Sequence, residues 1–180
     1  IITFNYTPKL SNEKFYSKFS VLGDVVNEVK KNKIKISKDF IVTNSKKLKK
    51  SIEKKQKEGT KLTYLKVRNN VAYLKTELDK WKYLKGKKQE ERISKLGPFY
   101  YCEGSMQLSD SLIKPSRTII TSEGGAGASR FKHLIELEKD IKYRRLVPEE
   151  LELLNMFPIQ HTLVNENISD SRRAFFMGNA

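Results

Sequence analysis

Residues able to act as nucleophile, base or metal ligand are few in this 180-residue chain. Its one cysteine, Cys102, stands between Tyr101 and Glu103 in an apolar, aromatic run, with nothing nearby to activate it as a thiolate; it reads as a buried, inert thiol, and a lone cysteine forms no internal disulfide. His133, inside "FKHLIE", reads as a satisfied structural histidine. Together with the distant His161 it outlines no metal cluster. Glu149 and Glu150 invite a paired-carboxylate reading, but consecutive helical residues point about 100° apart. A place in the first turn of a helix, where free N–H groups and the positive end of the dipole favour acids, accounts for them. No catalytic set and no metal site is expected.

The stretch that does bear chemistry is "PSRTIITSEGGAGASRF", residues 115 to 131. Gly124, Gly125 and Gly127 expose backbone amides beside Thr118, Thr121, Ser122 and Ser129, with Arg117, Arg130 and Lys132 flanking. Such a grouping meets phosphate oxygens at close range. It is not a nucleotide P-loop, since no Gly-Lys-Ser/Thr ending and no helix pattern follow. The net charge of +15 favours polyanionic partners such as nucleic acid or an acidic membrane surface. No run approaches the roughly 18 apolar residues of a membrane span, and the N-terminus lacks the order of a signal peptide. The expectation is a soluble protein of a reducing compartment.

The elements that must position this stretch read as follows. "IITFNY" looks like a strand cut from something longer. "FSVLGDVV" and "KIKISKDFIV" read as short strands and turns. Residues 45 to 58 predict a thin lysine-rich helix stopped at Gly59, and "LTYLKVRNN" a strand and turn. "VAYLKTELDKWKYL" places Val71, Leu74, Leu78 and Trp81 at heptad-like spacing, and "KGKKQEERISKLG" extends that helix to Gly97-Pro98. The lysine runs at 46 to 61 and 85 to 95 are equally a DNA-facing surface or a solvated helix face. "FYYCEGSMQL" and "RTIIT" read as strands. "VPEELELLNMF" predicts a helix over about 148 to 156 with Pro148 at its first position.

"PSRTIIT…GG", then "YRRLVPEELELLNMFP", then "SRRAFFMGNA" resemble, in order and spacing, the C-terminal portion of bacterial DNA (cytosine-5) methyltransferases. The family's ninth block is filled by Arg144, Leu146, Pro148, Glu150, Phe157 and Pro158, with Val147 where threonine is usual, which removes a capping hydroxyl worth about 1 kcal/mol. Gly178-Asn179 fills the pair that opens the tenth block. Thr118-Ile119 resembles the Thr-Leu pair of the target-recognition domain, with Gly124-Gly125 after it, and "VLGDVV" resembles a segment following the eighth block. The motifs cover about residues 97 to 180; residues 27 to 96 match nothing in the family and stand as an insertion.

The resemblance implies an α+β fold: a small twisted sheet with a helical insertion at about 45–96 and a C-terminal helix leading back to a catalytic domain. Residues 1–136 would form the target-recognition domain and 137–180 the connection to the catalytic domain. It implies DNA contact by Arg117, Thr118, Thr121, Ser122, Gly124, Gly125, Ser129 and Arg130. Arg144 and Glu150 would be structural, and Asn179 would touch S-adenosylmethionine. In the family a cytosine is flipped out, a Pro-Cys nucleophile adds at C6 and the methyl group goes to C5. The Pro-Cys, the Glu-Asn-Val block and the glycine-rich cofactor motif are missing from this chain, so by itself the segment is expected to bind duplex DNA without catalysis, as a cytoplasmic monomer. The rival reading is a stand-alone basic nucleic-acid-binding module.

Overall fold

The computed structural model describes residues 19–44, 66–67, 70–71 and 76–180. The readings of "IITFNY" as a strand and of residues 45 to 58 as a basic helix lie outside them, as does most of "LTYLKVRNN". The fold is α+β, with one three-stranded antiparallel sheet, two two-stranded hairpins and four α-helices among the described residues.

The first helix, α1 (Leu22–Lys31), corrects the strand reading of "FSVLGDVV". Leu22, Val25, Val26 and Val29 fall at i, i+3, i+4 and i+7 and are all buried, which is a helical stripe whatever the β propensity of valine. The Gly-Asp pair has specific work at the helix start. Asp24 accepts from the Ser20 and Val21 N–H groups. The N–H groups of Leu22 and Gly23 donate to Lys114 and Leu112 carbonyls. A side chain on Gly23 would sit 2.6 Å from the Leu112 oxygen.

After a 3-10 turn at Lys38–Phe40 comes β1 (Ile41–Thr43). It pairs with β7 (Lys142–Arg144), which also pairs with β6 (Ile135–Glu138) across a bulge, giving the order β1-β7-β6. This sheet draws strands from both sides of residue 136. A two-residue pairing joins β2 (Lys66–Val67) to β3 (Asn70–Val71). Helix α2 (Glu77–Lys85) opens with a reciprocal cap, Thr76 with Asp79. It buries Leu78 and Trp81 as the spacing predicts, but Val71 belongs to β3 and not to that helix.

The expected extension of α2 to Gly97 is a hairpin instead, β4 (Lys88–Ser94) against β5 (Gly97–Glu103). Gly97, at φ +115°, turns the chain where a helix stop was read. Cross-strand pairs of Glu91 with Tyr100 and Arg92 with Phe99 favour the ribbon over lysine-rich helix. Cys102 lies on β5 and is exposed, not buried. The "RTIIT" stretch is irregular; its backbone is not in any sheet.

Helix α3 (Pro148–Leu154) is shorter than read and buried on nearly every side. Its three glutamates are each matched. Glu150 receives Arg144 in a two-pronged pair at 2.6 and 2.7 Å, with both side chains sealed from solvent. It also accepts the Val147 N–H at 2.9 Å, the half of a capping box that the third helical residue supplies; the other half, a threonine hydroxyl accepting from the Glu150 N–H, is missing with Val147. Glu149 and Glu152 both bind Arg173 of α4 (Asp170–Asn179), at 2.8 and 2.9 Å. One apolar cluster joins these parts: Leu22, Val26, Ile135, Leu146, Leu151, Ala174 and Met177.

Removing one partner of a buried ion pair strands the other's charge. Glu150→Ala is therefore expected to destabilise the fold by about 3–5 kcal/mol, read from chemical denaturation. Lys85 supplies a pH test. Burial lowers its pKa to about 8, against the pull of Asp110 3.9 Å away, and its ammonium donates to the Leu108 carbonyl. Between pH 8 and 10.5 the unfolded chain holds this proton more firmly, so stability rises with pH across that window. Wild type should gain up to about 3 kcal/mol relative to Lys85→Met from pH 7 to 11, measured as paired denaturation curves.

Candidate nucleic-acid interface

The glycine-rich loop is a turn over residues 121–124 followed by bends at 125–127, and two buried cations govern it. The Lys132 ammonium donates to the carbonyls of Gly125 and Gly127 at 2.8 and 2.7 Å. The Arg145 guanidinium donates to those of Gly124 and Gly125 at 3.1 and 2.9 Å. Lys132 and Arg145 are both almost wholly enclosed, and burial pushes the pKa of each down from its ordinary value. Arg145 is further held by the Asp39 carbonyl at 2.8 Å and lies 4.8 Å over the Phe40 ring. Three loop carbonyls are thus drawn inward onto positive charge.

Glu123, also enclosed, accepts the His133 backbone N–H at 2.6 Å. Its carboxylate lies 3.3 Å from His133 Nδ1, short of hydrogen-bond geometry, while Nε2 of that ring meets the Ser116 hydroxyl at 3.0 Å. His133 joins the 115–120 segment to the loop from inside, a structural place as expected, but it is satisfied only at Nε2: its buried Nδ1 has no hydrogen-bond partner.

Helix α4 closes the other side. A Cβ on Gly124 would come within 2.6 Å of the Ala174 Cβ and 2.8 Å of Ser171 Cα; one on Gly178 would strike the Thr121 backbone at 2.4 Å. The loop is seated on a stripe of small residues, Ser171, Ala174 and Gly178, and this contact is why positions 124 and 178 lack side chains. Gly127, by contrast, has open space around it. The spacing of Ser171, Ala174 and Gly178 is visible in the sequence as a one-sided helical pattern; no reading singled it out.

Of the residues assigned to DNA contact, Thr118, Thr121 and Ser122 are exposed and stand together with the half-buried Gly124, Gly125 and Ser129. The two arginines are engaged within the chain. Arg117 grips Asp110 at 2.5 and 3.1 Å and the carbonyls of Phe131 and Lys132. Burial opposes the charge on Asp110, but Arg117 and the Leu134 N–H more than offset it and hold its carboxyl below the usual range. Arg130 bonds Glu103 and the carbonyls of Leu84, Gly86 and Gly104, at the root of the β4–β5 hairpin. Both position backbone.

Between this loop region and the ends of α3 and α4 lies an open cleft of about 520 Å³, lined by Ser116, Arg117, Thr118, Ile119, Leu154, Asn155 and the last four residues of the chain. Asn179 stands at its edge with its amide donating to the Phe175 carbonyl. No acidic side chain lines the cleft to meet the sulfonium and ammonium charges of S-adenosylmethionine, and Arg117, which could meet its carboxylate, is already held by Asp110. The lining residues by themselves do not complete a S-adenosylmethionine site.

Among the described residues no group of three or more His, Cys, Asp or Glu side chains is placed to hold a metal ion, and no helix is long and apolar enough to cross a membrane. Against known proteins, the chain is similar over 105 residues to a type II methyltransferase. That relative is M.Sau3AI of Staphylococcus aureus, 42% identical across the match, which takes in 58% of this chain and 24% of the relative. The match thus spans about a quarter of the relative's length. No protein-family model and no solved structure matches the chain.

The seat of the loop on α4 separates two glycines. Gly124→Ala is expected to lower stability by about 1–3 kcal/mol through overpacking, whereas Gly127→Ala should stay within about 0.5 kcal/mol of wild type, as substitutions at open surface positions do. Thermal unfolding of the two variants side by side checks this.

Proposed function

We infer that this chain is the DNA target-recognition part of a DNA (cytosine-5) methyltransferase of a restriction-modification system. In this reading residues 1–136, with a basic insertion at about 45–96, form the recognition domain, and residues 137–180 lead back to a catalytic domain. The observation that carries the reading is the 42% identity to a type II methyltransferase, over a chain whose motifs resemble the cytosine-5 family in order and spacing. The parent protein would act on duplex DNA in the cytoplasm as a monomer and take its methyl group from S-adenosylmethionine.

The geometry supports a division of labour. Thr118, Thr121 and Ser122 present hydroxyl groups at the surface, and Ser129 is half-buried; these hydroxyls and the amides of Gly124 and Gly127 suit phosphate oxygens, while the Gly125 amide is taken by the Ser122 carbonyl at 3.0 Å. Lys132 and Arg145 lie directly beneath, fixing the loop from below and adding positive potential without reaching the ligand themselves. Such contacts grip the backbone and carry no sequence information. Arg117 and Arg130 belong to the frame behind them, and the Arg144–Glu150 pair locks α3 to the sheet.

The test uses the full-length parent protein. Thr118→Val is expected to reduce methylation of DNA about tenfold, the loss of one hydrogen bond to a charged group, with S-adenosylmethionine affinity unchanged by calorimetry. DNA affinity should fall steeply as salt rises from low to moderate concentration. A parent protein without methyl-transfer activity, binding DNA all the same, would instead favour the stand-alone module.

A further inference from the structure

The β4–β5 hairpin is the part of the molecule least explained by its own fold. From Glu91 to Tyr100 every residue except Gly97 is exposed, on both faces of the ribbon. Among them are four large apolar side chains: Ile93 at 87% exposure, Leu96 fully exposed at the turn, Phe99 and Tyr100 about half. A two-stranded hairpin is marginal in water unless it packs against something, and apolar residues gathered at a projecting tip mark a contact surface.

The root of this ribbon is fixed as firmly as its tip is bare. Arg130 bonds Glu103 of β5 together with the carbonyls of Leu84, Gly86 and Gly104. Lys88 of β4 bonds Glu103 at 3.0 Å and the Leu84 carbonyl, and Tyr101 donates to the same carboxylate at 2.7 Å. Arg130 directly follows the glycine loop, so the phosphate-facing loop and the ribbon are indexed to each other through one guanidinium. Charge selects the partner. The exposed stretch from Glu91 to Tyr100 carries two cations, Arg92 and Lys95, against one acid, Glu91 at its base, within a chain of net charge +15.

Resting on the target-recognition reading above, we propose that the tip of this ribbon, Ile93, Leu96 and Phe99, enters the major groove of duplex DNA and reads base edges by apolar contact. Seven-residue strands reach about 23 Å, well beyond the groove's depth of roughly 8.5 Å, and a two-stranded ribbon fits its width of roughly 12 Å but not the minor groove of roughly 6 Å. Arg92 and Lys95 add positive charge beside the phosphates. The glycine loop holds the backbone, and the ribbon chooses the sequence.

The experiment compares full-length wild type with Ile93→Ser/Leu96→Ser, changes at exposed positions that leave thermal unfolding in place. The probe is a duplex library with fixed flanks and a randomised core, scored by enrichment, beside affinity for a non-specific duplex and the solution mass. The variant is expected to lose about tenfold or more of the enrichment, while its non-specific affinity, salt slope and monomeric mass stay unchanged. Equal enrichment of the same motif by both proteins overturns the ribbon assignment and leaves the target-recognition reading standing. A wild-type dimer that the variant dissolves, with enrichment intact, also overturns it and assigns the tip to a second copy of the chain. A wild type that binds no DNA overturns both.

Discussion

Two cations, Lys132 and Arg145, are buried under a loop that has almost nothing of its own to hold it in shape. Enclosing a charge is costly unless hydrogen bonds and opposite charges offset it. Here the offset comes chiefly from loop carbonyls, with Glu123 acting on both groups through its charge. The glycines and the cations therefore stabilise one another: without the loop the cations would be stranded, and without the cations the loop would keep only its seat on α4, the Glu123–His133 bond and its own turn hydrogen bonds. A loop held rigid in this way keeps its remaining donors in place beforehand, so that less conformational freedom is lost on contact with any ligand.

The rest of the architecture supports that arrangement. Arg145 follows β7 immediately, so the sheet order β1-β7-β6 sets its position, and the Arg144–Glu150 pair beside it anchors the strand to α3. Arg173 ties α3 to α4, and α4 lies along the loop through Ser171, Ala174 and Gly178. Each buried acid of α3 has a cationic partner from another element, so charge pairing and apolar packing specify the same contacts.

Much of this was legible in the residues, for physical reasons. Pro148 with acids after it marked a helix start, and the aromatic run Phe99–Cys102 marked a strand. Leu78 and Trp81 lay at helical spacing. The errors came from weighing the wrong signal. Valines led α1 to be read as strand, although Leu22, Val25, Val26 and Val29 keep a helical period. Lysine density around 88 to 95 was read as helix, although cross-strand pairing decides there. Long-range effects were not readable at all. Nothing local says that Arg117 is taken by Asp110 or Arg130 by the hairpin root, nor that Gly124 is small because a helix 50 positions later rests on it.

One further consequence concerns Cys102. It is the single cysteine of the chain and stands exposed on β5, three residues from Phe99. Within these 180 residues a thiol-reactive fluorophore or nitroxide would attach at one place. The projecting ribbon therefore comes with its own built-in reporter position, able to register a change of surroundings at the moment anything closes around it.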